Sequence, residues 1–175
     1  MMAISVSLVT APLHESLVDL LGELHTYYNE GSRVPREVVR AHLLDNLLGP
    51  QSPLRLVVAH EEGRVLGFAA IALTYSLVEP MPDQQRHCQL KELYVAATHR
   101  SAGVGKAIMA WVARYAGEHG CARIDWPVKA GNAKGIAFYK GLGAQQVTER
   151  LSFRISGDSL RQLADQANMD DKVNT

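Results

Sequence analysis

The chain has 175 residues, 47% of them hydrophobic and 21% charged, the make-up of one globular domain with room for a core and not of a disordered or fibrous chain. Lysine plus arginine (18) balance aspartate plus glutamate (18), so no broad field draws the protein to nucleic acid or anionic lipid. The longest apolar runs, such as Leu66 to Leu73, fall far short of the roughly 18 residues of a membrane span. Met1 to Val6 has neither the basic start nor the long apolar stretch of a secretory signal, and a soluble, cytoplasmic protein is the expectation. Cys88 and Cys121 lack CxxC spacing and read as two buried thiols.

Ile4 to Val9 alternates apolar residues with serine and predicts a first strand, ended by Thr10-Ala11-Pro12. Leu13, Leu17, Leu20, Leu21, Leu24 and Tyr28 recur at spacings of three and four, the stripe of an amphipathic helix that Asn29-Glu30-Gly31 stops. Pro35 opens a second helix whose apolar positions are Val38, Leu43, Leu44, Leu47 and Leu48. Leu54 to Ala59 and Val65 to Thr74 form a hairpin around Glu61-Glu62-Gly63-Arg64. Val78 to Asp83 is a loop, and Cys88 to Val95 the next strand. A helix with Val104, Ile108, Trp111, Val112 and Tyr115 on one side follows, closed by Gly117 and Gly120. Arg123 to Val128 reads as a strand, Ala133 to Lys140 as a short helix, and Ala144 to Thr148 and Leu151 to Ile155 as two last strands. The tail from Asp158 suits one more helix, with Met169 to Thr175 polar and frayed. Hairpins interleaved with helices predict a single mixed α/β domain over 1–157, followed by a C-terminal helix and tail over 158–175.

Arg100-x-x-Gly103-x-Gly105 lies between a strand and a helix start. Such a start exposes unpaired N–H groups and the positive end of the helix dipole, and glycines let a phosphate approach without a Cβ in the way. The segment predicts an anion site, most simply for a diphosphate. A Walker loop is excluded, because its first glycine would be Arg100 and its hydroxyl Ala107. The dinucleotide fingerprint breaks at Ile108, where its third glycine belongs, although Asp125 sits at the distance that motif asks. A turn that merely joins strand to helix stays open on this segment alone.

The run Leu90-Lys91-Glu92-Leu93-Tyr94-Val95 followed by Arg100-x-x-Gly103-x-Gly105 resembles the strand and coenzyme A pyrophosphate loop of the GCN5-related N-acetyltransferase (GNAT) family. Asn132-x-x-Gly135-Ile136-x-Phe138-Tyr139-x-x-x-Gly143-Ala144 resembles the family's second motif, with Gly135 in place of the common alanine and Ser101 in place of a frequent glycine. Arg123-Ile124-Asp125-Trp126-x-Val128 and the Phe138-Tyr139 helix are most similar to the diamine and thialysine acetyltransferase branch. That branch usually has two adjacent acids where this chain has Lys91-Glu92. The resemblance implies one mixed, mostly antiparallel sheet with helices on both faces and strands four and five splayed apart, the pantetheine arm lying in the opening.

It further implies acetyl-coenzyme A as co-substrate, bound by Leu93, Tyr94 and Val95 at a strand-four bulge, by Arg100, Ser101, Ala102, Gly103, Val104, Gly105 and Lys106, and by Asn132 and Phe138. Tyr139, a phenol with a pKa near 10, is the candidate acid for the departing thiolate. Glu92, the one acid in an otherwise apolar strand beside the implied reaction centre, is the candidate base or amine-orienting carboxylate. A backbone N–H near Leu93 to Val95 is the expected carbonyl partner. Glu30, Glu79 and Asp83 fall in loops that the resemblance puts around the acceptor cleft, and read first as solvated surface. The histidines show no HxxxH or HExxH spacing, so no metal is expected. The resemblance thus implies an N-acetyltransferase using direct attack on acetyl-coenzyme A by a small-molecule primary amine, in a homodimer, while the balanced charge and short apolar runs predict neither nucleic acid nor membrane as partner. A protein or peptide amine acetyltransferase and a non-catalytic acyl-coenzyme A-binding module are the alternatives.

Overall fold

A computed structural model describes residues 4–173. It holds two compact units, Met1–Asn132 and Ala133–Thr175. In the first, strands β1 (Ser5–Leu8), β2 (Arg55–Glu61), β3 (Arg64–Tyr75), β4 (Arg86–Val95) and β5 (Cys121–Asp125) form one sheet in the order β1-β2-β3-β4-β5. Every neighbouring pair is antiparallel except β4 and β5, which run parallel. The hairpin between β2 and β3 turns on Glu62 and Gly63, both at positive φ (46° and 76°), the geometry that suits the twist of two adjoining strands.

Helices cover both faces. On one, α1 (His14–Tyr28) and α2 (Arg36–Ala41) lie over the sheet, and Leu17, Val18, Leu20 and Leu43 share a core with Leu56, Val58, Phe68 and Tyr94. On the other, α3 (Val104–Glu118) packs so closely that a Cβ on Gly67 would sit 3.0 Å from Val104 and 3.2 Å from Ile108. Glycine inside a strand marks such an approach. Outside the core, Arg36 binds Glu15 and Asp19 (2.7 and 2.8 Å) and Arg40 binds Glu15 (2.7 Å), tying α2 to α1.

The second predicted helix is broken. Its α-helical part ends at Ala41, and His42–Leu47 continues as a π-helix, with the Leu48 N–H donating to the Leu43 carbonyl. That bond closes an i→i+5 turn, wider than the 3.6-residue turn of an α-helix, at Leu43, the buried residue of this segment. β5 also begins and ends earlier than the expected Arg123 to Val128. Cys88 is buried, but Cys121 is only half-buried, because β5 has no strand on its outer side among the described residues.

The second unit comprises α4 (Ala133–Gly141), a connecting segment and α5 (Gly157–Val173). The two strands expected over Ala144 to Thr148 and Leu151 to Ile155 are not formed. Leu151, Phe153 and Ile155 keep the alternation of a strand yet are 81, 91 and 49% exposed. Alternation chooses a face, but a strand exists only through a hydrogen-bonded neighbour, and none pairs with this segment among the described residues. α5 continues past Met169, where the polar composition predicts fraying; residues 174 and 175 of that expectation lie outside the described residues. No helix among the described residues is long and apolar enough to cross a membrane.

Candidate active site

Pairing of β3 with β4 proceeds from Gly67↔Val95 through Ala70↔Glu92 and then jumps to Ile71↔Leu90, leaving Lys91 as the extra residue of a β-bulge. Side chains alternate along a strand, so one inserted residue reverses the faces of everything beyond it. Glu92 and Tyr94 are thereby placed opposite Ala70 and Phe68, on the face that α1 covers, while Leu90 stays opposite Ile71. The bulge was expected nearer Leu93 to Val95; it occurs at Lys91, and it is what aims Glu92. On its other side β4 pairs with β5 only as far as Gln89↔Asp125. From Leu90 to Val95 no strand lies beside it among the described residues, the expected parting of strands four and five.

Glu92 meets Tyr28, the last residue of α1, whose hydroxyl donates to the carboxylate oxygens at 3.3 and 3.4 Å. The Lys129 ammonium lies 4.6 Å from the centre of the Tyr28 ring, a cation–π contact at the edge of the group. Burial pushes the Glu92 carboxyl above its ordinary range, with the Tyr28 hydroxyl, the Leu93 N–H and Lys129 drawing it back. The Tyr28 phenol is raised by burial and by the adjacent carboxylate. Glu92 lies on the wall of a cavity of about 540 Å³, within the range of small-molecule sites, whose other walls include Leu21, Leu24, Val39, Leu56 and Phe68. His25 and Lys91 also line it. Glu30, Glu79 and Asp83 are exposed and do not.

Tyr28 and Lys129 are not among the site residues that the sequence suggests. The only signal for Tyr28 was its place on the α1 stripe, which reads as core. It ends that stripe at the sheet's bulge, where its hydroxyl bonds Glu92. For Lys129, in the loop after β5, no sequence pattern points to the site.

The segment after β4 is held by a second group. The Tyr94 hydroxyl donates to Glu23 Oε1 at 2.9 Å, and the Ala97 N–H donates to the same oxygen at 2.8 Å. The Arg100 guanidinium donates to the Val95 carbonyl (3.2 Å) and the Tyr94 hydroxyl (3.3 Å), and lies 5.7 and 5.4 Å from the ring centres of Tyr27 and Tyr94. Burial and the bond to Glu23 raise the Tyr94 phenol to about 12. Tyr94 is therefore a core residue whose hydroxyl anchors the loop, and Leu93 lies on the opposite face, facing Ala69.

The loop itself turns through Ser101 (φ 64°) and Gly103 (φ 83°). At Gly103 the left-handed backbone requires glycine, and nothing lies within 4 Å of where its Cβ would be. Gly103 is the N-cap of α3 and supplies no capping side chain, so the first-turn N–H groups of a 15-residue helix face outward beside an open glycine. Val104 is buried and fixes the helix start; Ala102 and Lys106 are exposed and Gly105 half-buried. This is a cradle a diphosphate fits.

Asn132 donates its backbone N–H to the Lys129 carbonyl at 2.9 Å. In the second unit, Phe138 and Tyr139 are both half-buried on α4, with ring centres 5.2 Å apart in an edge-on arrangement. The helix ends in a Schellman motif: the Ala144 N–H bonds the Tyr139 carbonyl (3.1 Å), the Gly143 N–H bonds the Lys140 carbonyl (3.0 Å), and Gly143 has φ 90°. The glycine of the second motif is thus the left-handed residue that this cap needs, and it fixes the turn carrying Tyr139. Among the described residues no group of three or more histidine, cysteine, aspartate or glutamate side chains could hold a metal ion.

The model of the acetyltransferase (GNAT) family matches residues 16–144. Thialysine N-epsilon-acetyltransferase of Mus musculus is 39% identical over 82 residues, covering 45% of this chain and 48% of that protein. L-ornithine N5-acetyltransferase of Arabidopsis thaliana is 32% identical over 72 residues, 41% of this chain and 32% of that one. The chain spans about half the length of the curated thialysine relatives it matches. Among solved structures, an integron cassette protein of V. cholerae superposes with a TM-score of 0.84 at 27% identity, covering 94% of this chain and 99% of that one. With the family match over most of the first unit and the sheet, bulge and glycine-entered helix in place, the chain belongs to the GNAT acetyltransferase family and resembles its thialysine acetyltransferase branch.

Proposed function

We propose that the protein is an N-acetyltransferase that transfers an acetyl group from acetyl-coenzyme A to the primary amine of a small molecule, by direct attack in a ternary complex. The observation that carries this reading is the Lys91 bulge, which turns a carboxylate raised by burial into a cavity of small-molecule size. The relatives named for acetylation of thialysine and ornithine support an amine acceptor. The uncapped start of α3 behind Gly103 supports a diphosphate group as its ligand, and the first-turn N–H groups from Val104 to Lys106 would bind it, with Ser101 and Ala102 at the rim of the same turn.

Leu93 to Val95 border the open edge of β4 and suit the pantetheine arm, a backbone N–H there polarising the thioester carbonyl. Asn132 and Phe138 complete the coenzyme contacts in this reading. Arg100 fixes the loop through Val95, Tyr94 and Tyr27, and its exposed guanidinium joins the coenzyme contacts in this reading. Glu92 takes the first proton from the ammonium, directly or through water, and passes it to solvent; the neutral amine nitrogen then bonds to the acetyl carbon, the carbon–sulfur bond breaks, Tyr139 gives its phenolic proton to the thiolate, and the second proton lost by the acetylated nitrogen returns through water to the Tyr139 phenolate. A carboxyl raised toward neutrality is a better base for an ammonium than an ordinary one. The enzyme works in the cytoplasm as a homodimer.

Replacing Tyr139 with phenylalanine is expected to lower kcat by about 100-fold, the scale of a lost general acid, with coenzyme A affinity unchanged. Full turnover in that variant removes Tyr139 from the mechanism.

A further inference from the structure

The cavity beneath the bulge also bears on which amine enters it. Of its lining side chains, one is a carboxylate, Glu92. The acids of the neighbouring helical segment, Glu37 and Asp45, line a different hollow that shares only Val38 and His42 with this one. The two lysines at hand, Lys91 on the cavity wall and Lys129 against the Tyr28 ring, add positive charge near Glu92. Away from Glu92 the wall is mainly apolar, with Leu21, Leu24 and Phe68 on it, and its polar members His25, Asn29 and His42 carry no negative charge. One ammonium can reach Glu92. A second ammonium on the same molecule would be desolvated among leucines and valines without a counter-charge, which disfavours it strongly, whereas an apolar body gains by leaving water.

We infer that the acceptor is a monoamine with an apolar alkyl or arylalkyl body, and that diamines and polyamines are disfavoured because Glu92 is the one carboxylate lining the cavity. This rests on the proposed acetyltransferase reading of the same cavity. Lys91, exposed at the bulge, lines the cavity where a carboxylate would have offered a second ammonium its counter-charge.

The test compares hexylamine with 1,6-diaminohexane and ornithine on the full chain, by kcat/KM for acetylation and by calorimetric titration of each amine in the presence of coenzyme A. Hexylamine is expected to lead both others by at least about tenfold in affinity and in kcat/KM. In Lys91→Glu, which adds a second carboxylate to the cavity wall, the lead over 1,6-diaminohexane is expected to shrink by about tenfold or to reverse. Equal or tighter binding of the diamine or of ornithine overturns the inference, as does failure of hexylamine to bind, or an unaltered ratio in Lys91→Glu. The expected ranking in binding without any acetyl transfer leaves the inference standing and overturns the acetyltransferase reading alone.

Discussion

Gly67→Ala tests how the sheet carries the glycine loop at the start of α3. Built on the β3 backbone, the new Cβ would lie 3.0 Å from the Tyr94 carbonyl oxygen, 3.0 Å from Val104 Cγ1 and 3.2 Å from Ile108 Cδ1. The first neighbour is backbone of the paired strand and cannot withdraw without loosening the β3–β4 ladder. The other two belong to side chains with 1% and 0% of their surface exposed. Overpacking of this kind costs about 1–3 kcal/mol, and the smaller entropy of an alanine-containing unfolded chain returns about 0.4–1 kcal/mol. A net loss of roughly 1–2 kcal/mol shifts the midpoint of a domain this size by about 2–4 °C per kcal/mol, so a fall of about 2–8 °C is expected in thermal unfolding followed by circular dichroism. Val104 opens α3, and the coenzyme A affinity is expected to fall with the midpoint. A midpoint equal to or above that of the parent would mean that α3 does not press on the sheet as described, and would refute the reasoning.

Glu92→Gln should lower kcat/KM by about 100-fold, while the fold is stabilised at neutral pH. The sign follows from the raised carboxyl: the folded chain holds this proton more tightly than the unfolded chain, whose value is the ordinary 4.5, so the charged form costs stability above the raised value. The advantage of the variant in thermal midpoint should shrink as pH falls and vanish below 4.5, and a variant less stable than the parent at pH 7 would contradict the burial argument. Gly103→Glu places a side chain in a left-handed position and a carboxylate at the uncapped helix start. It should weaken coenzyme A binding at least ~10-fold, since charge-assisted hydrogen bonds contribute about 1.5–3 kcal/mol each; unchanged affinity by calorimetry would remove the loop from the site.

Much of the fold was legible because it rests on local signals. The α1 stripe, the Glu62-Gly63 turn and the two motif glycines each answer to a backbone conformation that the structure contains, positive φ at Gly63, Gly103 and Gly143. What was not legible depends on partners. The register jump that leaves Lys91 unpaired is set by β3 as much as by β4, so the direction of Glu92 could not be read from alternation alone. Tyr28 looks apolar along its helix and becomes a hydroxyl donor only where the helix end meets that bulge. The 144–155 segment shows the opposite case, strand periodicity with no strand formed, because pairing needs a neighbour that the pattern does not supply.

The most direct measurement is thiol release from acetyl-coenzyme A by the purified chain, with and without primary amines including hexylamine, ornithine and short lysine peptides. The account predicts release that requires a small amine and is lost in Glu92→Gln. Bound acetyl-coenzyme A with no release for any amine, or release confined to the peptides, would contradict it.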